Sequence, residues 1–320
     1  PGCRWVGNEN GYADATNWSF LRIKEVYPGY DKYYELTSGH ADGDTWVASE
    51  CNTSIRPGWF YHESEDEKVK SVEHLTDLYY RSVGHNGTFL LNFPVDKDGL
   101  IHPTDSAHAV DYHKLVAAEL SNNLLKKASI KASNVRDKKL FGTQNLMDGN
   151  YDTYWAIEDG VTTATLEIAL KGKQKMNRLM LQEYIPLGQR VKKFNIDYFA
   201  NGQWQPLKIK EATTTIGYKR LLRFQTITTN KLRIHFEEAR GPLCINGLGA
   251  YYAPNAPESY EQKEEDIKGL PATVINDPDG KGVVLDLGEI RQIHSLHYQP
   301  AQNGMISHYE IYVGKTLDEM

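Results

Sequence analysis

Apolar residues in the first third of the chain fall into short runs separated by longer amphipathic stretches. Cys3 to Val6, Thr45 to Ala48, Gly58 to Tyr61 and Thr88 to Phe93 are β-prone, the last of them almost continuously apolar. That pattern belongs to strands of a parallel sheet buried on both faces. Between them Glu65 to Val83 carries Val69, Val72, Leu75, Leu78, Tyr79 and Val83 at helical spacing and stops at Gly84. This predicts an amphipathic crossover helix ended by a left-handed glycine. After Pro103, with Thr104 and Asp105 as capping candidates, a second helix is predicted to about Lys126, with Val110, Leu115, Val116, Ala118 and Leu120 on or near one face. Four strands with helical crossovers predict that residues 1–127 are the C-terminal half of a (β/α)8 barrel. Such a half leaves two sheet edges and half of the inner layers unfilled, so an upstream half is expected to be required, in the same chain or another.

From about Ala128 the period changes. Ala164 to Leu170, Arg178 to Glu183, Lys193 to Phe199, Trp204 to Ile209, Leu221 to Thr226 and Leu232 to Phe236 are short alternating runs separated by turns. They predict an all-β jelly-roll sandwich over 128–252. Residues 253–268, rich in Pro, Glu and Lys, read as a linker. Residues 269–320 then repeat the sandwich. Leu166–Leu170, Met176–Leu181 and Phe194–Tyr198 match Leu285–Glu289, Ile293–Tyr298 and Tyr309–Val313 in order and near-equal spacing, and the second copy stops about halfway. The chain is expected to be open at both ends.

Composition narrows the classes of function. The 42 acidic and 36 basic residues give a net charge of -6 spread along the chain, with no basic patch in the sequence to follow a phosphate backbone. Nucleic acid is therefore not an expected partner. Cys3, Cys51 and Cys244 are odd in number and far apart, which fits neither a disulfide framework nor metal-ligand spacing, and they read as buried thiols. No apolar run approaches the ~20 residues of a membrane span. The 20 Tyr and 6 Trp suit sugar stacking and sandwich cores equally.

Glu9 is the first candidate for chemistry. The strand Cys3–Val6 breaks at Gly7-Asn8-Glu9-Asn10-Gly11, so Glu9 lies just past a strand's carboxyl end, the face on which barrel enzymes build active sites, with Asn8 beside it as a hydrogen-bond partner. Taken alone, such a glutamate is a solvated loop residue or a proton donor. The wider sequence shifts the balance toward the donor. Arg4-Trp5-Val6-Gly7-Asn8-Glu9-Asn10-Gly11, Glu50 to His62, Ser82-Val83-Gly84-His85-Asn86 and Leu90-Leu91-Asn92-Phe93-Pro94 resemble, in order, the motifs of glycoside hydrolase family 29, the α-L-fucosidases. The resemblance implies a retaining exo-α-L-fucosidase of the branch that prefers α1,3- and α1,4-linked fucose in branched glycans, with Glu9 as acid/base. Fucosylated oligosaccharides are the implied partners, no cofactor is implied, and the location is periplasmic or extracellular. The family's nucleophile is an aspartate on an earlier strand, and no residue here matches it. By the same resemblance Trp59 lines the fucose pocket, against its alternative as a barrel-core tryptophan. Arg56 and Glu50 either bind sugar hydroxyls or pair with each other. His62 and His85 read as structural, and His85 stands where family members commonly carry arginine.

In the sandwich, Asp148-Gly149-Asn150-Tyr151-Asp152-Thr153-Tyr154-Trp155 resembles the signature of discoidin-like modules, many of which bind sugars and some of which hold a structural calcium through the aspartate and nearby carbonyls. The plainer reading is a tight turn that starts with Asp148 and places Trp155 in the core. A rival to the enzyme is a glycan-binding protein with a degenerate barrel, and a third reading makes the sandwiches spacers.

Overall fold

The computed structural model describes residues 2–27, 29, 30, 32 and 34–254, together with the backbone of 272–277 and 280–285. Two compact units are present, Pro1–Gln262 and Lys263–Met320.

The first unit opens with β1 (Cys3–Trp5) and a small antiparallel pair, β2 (Phe20–Leu21) with β3 (Thr45–Trp46), around the single-turn helix α1 (Glu35–Ser38). Next come β4 (Ala48–Ser54), α2 (Val72–Ser82), β5 (Gly87–Asn92) and α3 (Pro103–Glu119). β1, β4 and β5 form a parallel sheet in that order, with Trp5 opposite Glu50 and Glu50 opposite Thr88. The parallel pairing agrees with the expectation; the strand list does not. Thr45–Trp46 belongs to the antiparallel pair, and the predicted strand Gly58–Tyr61 is a loop. The strand between them in sequence is Ala48–Ser54, whose Ser, Glu, Cys, Asn and Thr residues give no apolar run. Among the described residues, three parallel strands thus stand where four were expected.

The helices also differ at their ends. His102, not Thr104 or Asp105, caps α3, with its Nδ1 accepting from the Thr104 N–H and Pro103 in the first turn, where its missing N–H costs nothing. The helix ends at Glu119, and a short 3-10 turn carries the chain over Leu124–Lys127. Gly84 is not the left-handed residue after α2; Asn86 is, with φ 65°. Gly84 is needed for space, because a Cβ there would stand 2.2 Å from the Tyr80 carbonyl oxygen and 2.9 Å from Leu221 Cβ.

β6 (Ser129–Ala132), β7 (Trp155–Ala156), β8 (Ala164–Glu183), β9 (Val191–Ala200), β10 (Gln203–Pro206), β11 (Arg220–Ala239) and β12 (Cys244–Tyr251) build the sandwich. The strand order is β10-β9-β11-β8-β12-β7, with β6 on β8. The runs predicted as separate strands on either side of Lys171–Lys175 are one 20-residue strand, β8, and those flanking Ile227–Lys231 are another, β11. Both change register near these points, so the strands bend there instead of turning back. Each contributes to both layers, and their inward residues, from Leu166 and Ile168 to Leu179 and Leu181, meet in one apolar core with Trp155, Phe194 and Phe236. Ala253, assigned to the linker by composition, is buried and bound at both its N–H and its carbonyl by Asn177 (2.9 Å each).

Two ion pairs join helices to sandwich: Asp77–Arg223 at 2.8 Å and Glu119–Arg178 at 3.2 Å. In the second unit β13 (Ala272–Asp277) and β14 (Gly280–Leu285) form an antiparallel hairpin. The repeat segments Ile293–Tyr298 and Tyr309–Val313 lie outside the described residues, as does the linker beyond Pro254.

Candidate active site

The turn after β1 is built by its own residues. Val6 is buried, and its N–H continues the sheet to the Glu50 carbonyl at 3.2 Å. Gly7 and Gly11 then adopt φ 80° and 83°, and Asn8 Oδ1 accepts from the Asn10 N–H at 3.0 Å. Gly11 is also packed so tightly that a Cβ would meet Thr53 Cγ2 at 2.9 Å. This closed turn leaves Glu9 exposed at its tip. Asn8 acts on the backbone, as an Asx turn, and also donates to the Val6 carbonyl at 3.4 Å.

The loop after β4 brings the second residue. The Ile55 N–H donates to the Asn92 carbonyl at 3.0 Å, and Asn92, at the end of β5, donates through Nδ2 to Ser54 Oγ and to the Trp59 carbonyl, both at 3.1 Å. Held there, the Trp59 indole N–H donates to Glu9 Oε2 at 2.7 Å. Fifty positions apart in sequence, Glu9 and Trp59 meet at the carboxyl ends of neighbouring parallel strands. Trp59 is half-buried and is not among the residues of the apolar clusters formed by the described residues.

Arg56 and Glu50 do not pair with each other. Arg56 is fully buried; its Nε and Nη2 donate to the two oxygens of buried Asp105 (2.8 Å each), and Nη1 donates to Asp66 at 2.8 Å. The guanidinium also stacks on Tyr61 at 4.6 Å. This bidentate pair ties the first turn of α3 to the end of β4, so Arg56 braces the Trp59 loop and its partner is Asp105, not Glu50. Glu50 is half-buried and accepts from Cys3 Sγ at 3.4 Å. Cys3 is exposed, against the expectation of three buried thiols. Cys3, Trp5, Glu50, Asn52, Thr88 and Leu90 share one face of the sheet by alternation and register, with Trp5 Nε1 donating to Asn52 Oδ1 at 2.8 Å.

His62 is exposed. His85 is buried, with Nδ1 2.9 Å from the Ala13 carbonyl and Nε2 3.0 Å from Glu211 Oε2. Burial pushes His85 below the ordinary imidazole range, against the pull of Glu211. Burial works against charge on Glu211 too, but the His85 hydrogen bond and the guanidinium groups of Arg220 and Arg223 prevail and hold the carboxyl down to about 2.

In the sandwich, Asp148 Oδ1 accepts from the Asn150 N–H (2.9 Å) and Oδ2 from Thr153 Oγ1 (2.6 Å), and Gly149 has φ 75°. Trp155 is fully buried. Both carboxylate oxygens accept hydrogen bonds within the turn. Among the described residues no three His, Cys, Asp or Glu side chains converge as metal ligands, and no helix is long and apolar enough to cross a membrane.

Sequence and structure comparisons agree on the relatives. An Arabidopsis thaliana protein, α-L-fucosidase 1, is 35% identical over 261 residues, covering 78% of this chain and 50% of its own length. A Ruminococcus gnavus GH29 fucosidase, solved in complex with fucose, superposes with TM-score 0.71 at 31% identity over 81% of this chain and 52% of its own. The chain is a relative of the α-L-fucosidases. Its named homologues are glycoside hydrolases, and it spans about half the length of those it matches. A glycoside hydrolase 29 family member from an unknown rumen bacterium gives TM-score 0.66 at 35% identity, over 85% of this chain and 44% of that one. Residues 129–246 match the F5/8 type C domain family, which accounts for the discoidin-like signature in this fucosidase relative.

Proposed function

We propose that this chain is the C-terminal portion of a retaining exo-α-L-fucosidase that releases α1,3- and α1,4-linked fucose from branched glycans. The observation that carries the reading is the 2.7 Å contact between Glu9 and Trp59 at two adjacent parallel strand ends, joined to the homology with named fucosidases. β1, β4 and β5 contribute to the second half of a (β/α)8 barrel, and the upstream half supplies the aspartate nucleophile. In double displacement that aspartate attacks the anomeric carbon while Glu9 protonates the departing glycosidic oxygen. Glu9 then takes a proton from the water that breaks the fucosyl–aspartate bond, and is restored to its acid form. Retention sets the two carboxyl groups about 5–5.5 Å apart. In this scheme Trp59 fixes one Glu9 oxygen with its N–H and offers its indole edge and face to the apolar side of the sugar. Chemistry of this kind uses no cofactor. The resemblance also carries a periplasmic or extracellular location.

The test is Glu9→Ala in the protein bearing its upstream barrel half. Turnover of a Lewis-type trisaccharide, whose leaving group needs a proton, is expected to fall about 10²–10⁴-fold. An activated aryl fucoside is expected to retain part of its rate and to be rescued by azide. Unchanged trisaccharide turnover would sink the assignment.

A further inference from the structure

Asn17, between β1 and β2, is fully buried and uses every polar atom it has. Its N–H donates to Thr215 Oγ1 at 2.8 Å, and its carbonyl accepts from Gln189 Nε2 at 2.8 Å and Asn86 Nδ2 at 3.3 Å. Its side-chain Nδ2 donates to Ser49 Oγ on β4 and to the His85 carbonyl just before β5, both at 2.7 Å. Its Oδ1 accepts from Arg4 Nη2 on β1 at 2.7 Å. One residue therefore touches all three parallel-strand segments and two segments of the sandwich, since Gln189 lies in the loop before β9 and Thr215 in the loop between β10 and β11.

Arg4 explains why this matters for β1. Its guanidinium is buried and its remaining hydrogen bonds go to the carbonyls of Leu36 (2.9 Å), Trp18 (2.8 Å) and Val47 (3.5 Å), so uncharged oxygens alone hold it. Burial lowers its pKa to about 10. A buried cation held by dipoles is costly to keep and costlier to leave with one acceptor missing. β1 is short, pairing with β4 through Cys3, Arg4 and Trp5 with the Val6 N–H on the Glu50 carbonyl beyond them, so side-chain anchorage contributes to where the strand and its terminal turn sit. The sandwich side is shaped to match: Thr215 is buried, and Gly217, with φ 67°, leaves no room for a Cβ against Asn86, which would stand 2.2 Å away.

We infer that Asn17 is a positioning residue for Glu9, and that the sandwich sets the acid/base through Thr215 and Gln189 as part of the catalytic unit. This rests on the acid/base reading of Glu9. Asn17 touches no reacting atom; it acts through Arg4 and β1.

The test compares Asn17→Asp, Thr215→Val and Thr215→Ser in the protein with its upstream barrel half. Thr215→Val removes the acceptor at nearly constant volume, and Thr215→Ser restores it. For Thr215→Val, kcat on an unactivated fucosyl oligosaccharide is expected to fall about tenfold or more with KM within about twofold. Turnover of an aryl fucoside with a good leaving group is expected to change far less, and Thr215→Ser to recover the oligosaccharide rate. Asn17→Asp, which loses both side-chain donors, is expected to show the same split. Melting curves establish the folded fraction of each variant. Wild-type oligosaccharide turnover per folded molecule, or equal loss on both substrates, overturns the inference. Failure of the Glu9 reading shows itself separately, as trisaccharide turnover surviving Glu9→Ala.

Discussion

At the scale of single residues, the groups that touch one another at the site are not the groups that share a motif. Glu9 is legible as a residue past a strand end, and Trp59 as an indole in a Pro-Gly loop, but their contact depends on Asn92, fixed by the parallel pairing of β4 with β5. Arg56 misleads for the opposite reason. An arginine three residues before an expected pocket tryptophan suggests a sugar hydroxyl or a pair with Glu50, and in the structure Asp105, 49 positions away, takes its guanidinium bidentately inside the fold. His85 likewise gains its meaning from Glu211, 126 positions on. That carboxyl makes a pH prediction. Its folded pKa is about 2 against an ordinary value of 4.5, so its contribution is fully present above about pH 4.5 and lost as pH falls toward 2, where the folded state also takes the proton. The shift corresponds to about 2–3 kcal/mol after allowing for partial exposure. Glu211→Gln is expected to lower the melting temperature at pH 7 and to close most of that gap by pH 3. A gap that stays constant across that range would show that the carboxylate charge contributes nothing there.

Elements were legible where burial is one-sided and obscure where both faces are occupied by polar work. The sandwich strands alternate cleanly because one face meets the core and the other water, and their positions agree with the expectation apart from the bends that fuse them into β8 and β11. β4 is hidden because Ser49, Thr53 and Ser54 are buried as hydrogen-bonding residues and Glu50 and Asn52 occupy the open face, so no hydrophobic period marks it. Gly84 shows the same limit at a helix end. Its place after an amphipathic run points to a left-handed cap, whereas its lack of a side chain lets Leu221 of β11 approach the last turn of α2, with the Leu221 N–H on the Gly84 carbonyl at 2.9 Å. The two accounts predict different substitutions. At a left-handed cap Asn would be tolerated; at a crowded crossing any Cβ must displace Tyr80 or Leu221. Gly84→Ala and Gly84→Asn are both expected to destabilise by about 1–3 kcal/mol in chemical denaturation, and tolerance of Asn alone would restore the cap account.

Over the whole molecule, apolar burial is divided unevenly. Among the described residues, the large core runs from Leu125 to Ala250 and lies in the sandwich, while the parallel-sheet segment has smaller clusters, one around Leu21, Tyr30, Leu36 and Val47 and one of Val6, Ala13 and Cys51, with Ile55, Leu75, Leu78 and Tyr80 also buried there. Its other buried positions include Arg4, Asn17, Ser49, Thr53 and Arg56, whose hydrogen bonds contribute little net stability once exchange with water is counted. Its open face presents Trp5, Glu50, Asn52 and Leu90, with Trp5 41% and Leu90 43% exposed. The sheet is thus held in part by what it leans on: Asp77–Arg223, Glu119–Arg178 and the Asn17 contacts to Thr215 and Gln189. Residues 121–254 retain the whole large core and the Asn123 contacts to Leu248 and Ala250, and each buried Leu, Ile or Phe there contributes about 1.5–3 kcal/mol. Expressed alone, 121–254 is expected to melt in one cooperative transition, and 1–120 to show none and to bind a hydrophobic dye. Cooperative melting of 1–120 by itself would mean that the sheet segment does not depend on the sandwich, and that the polar contacts between them position without supporting.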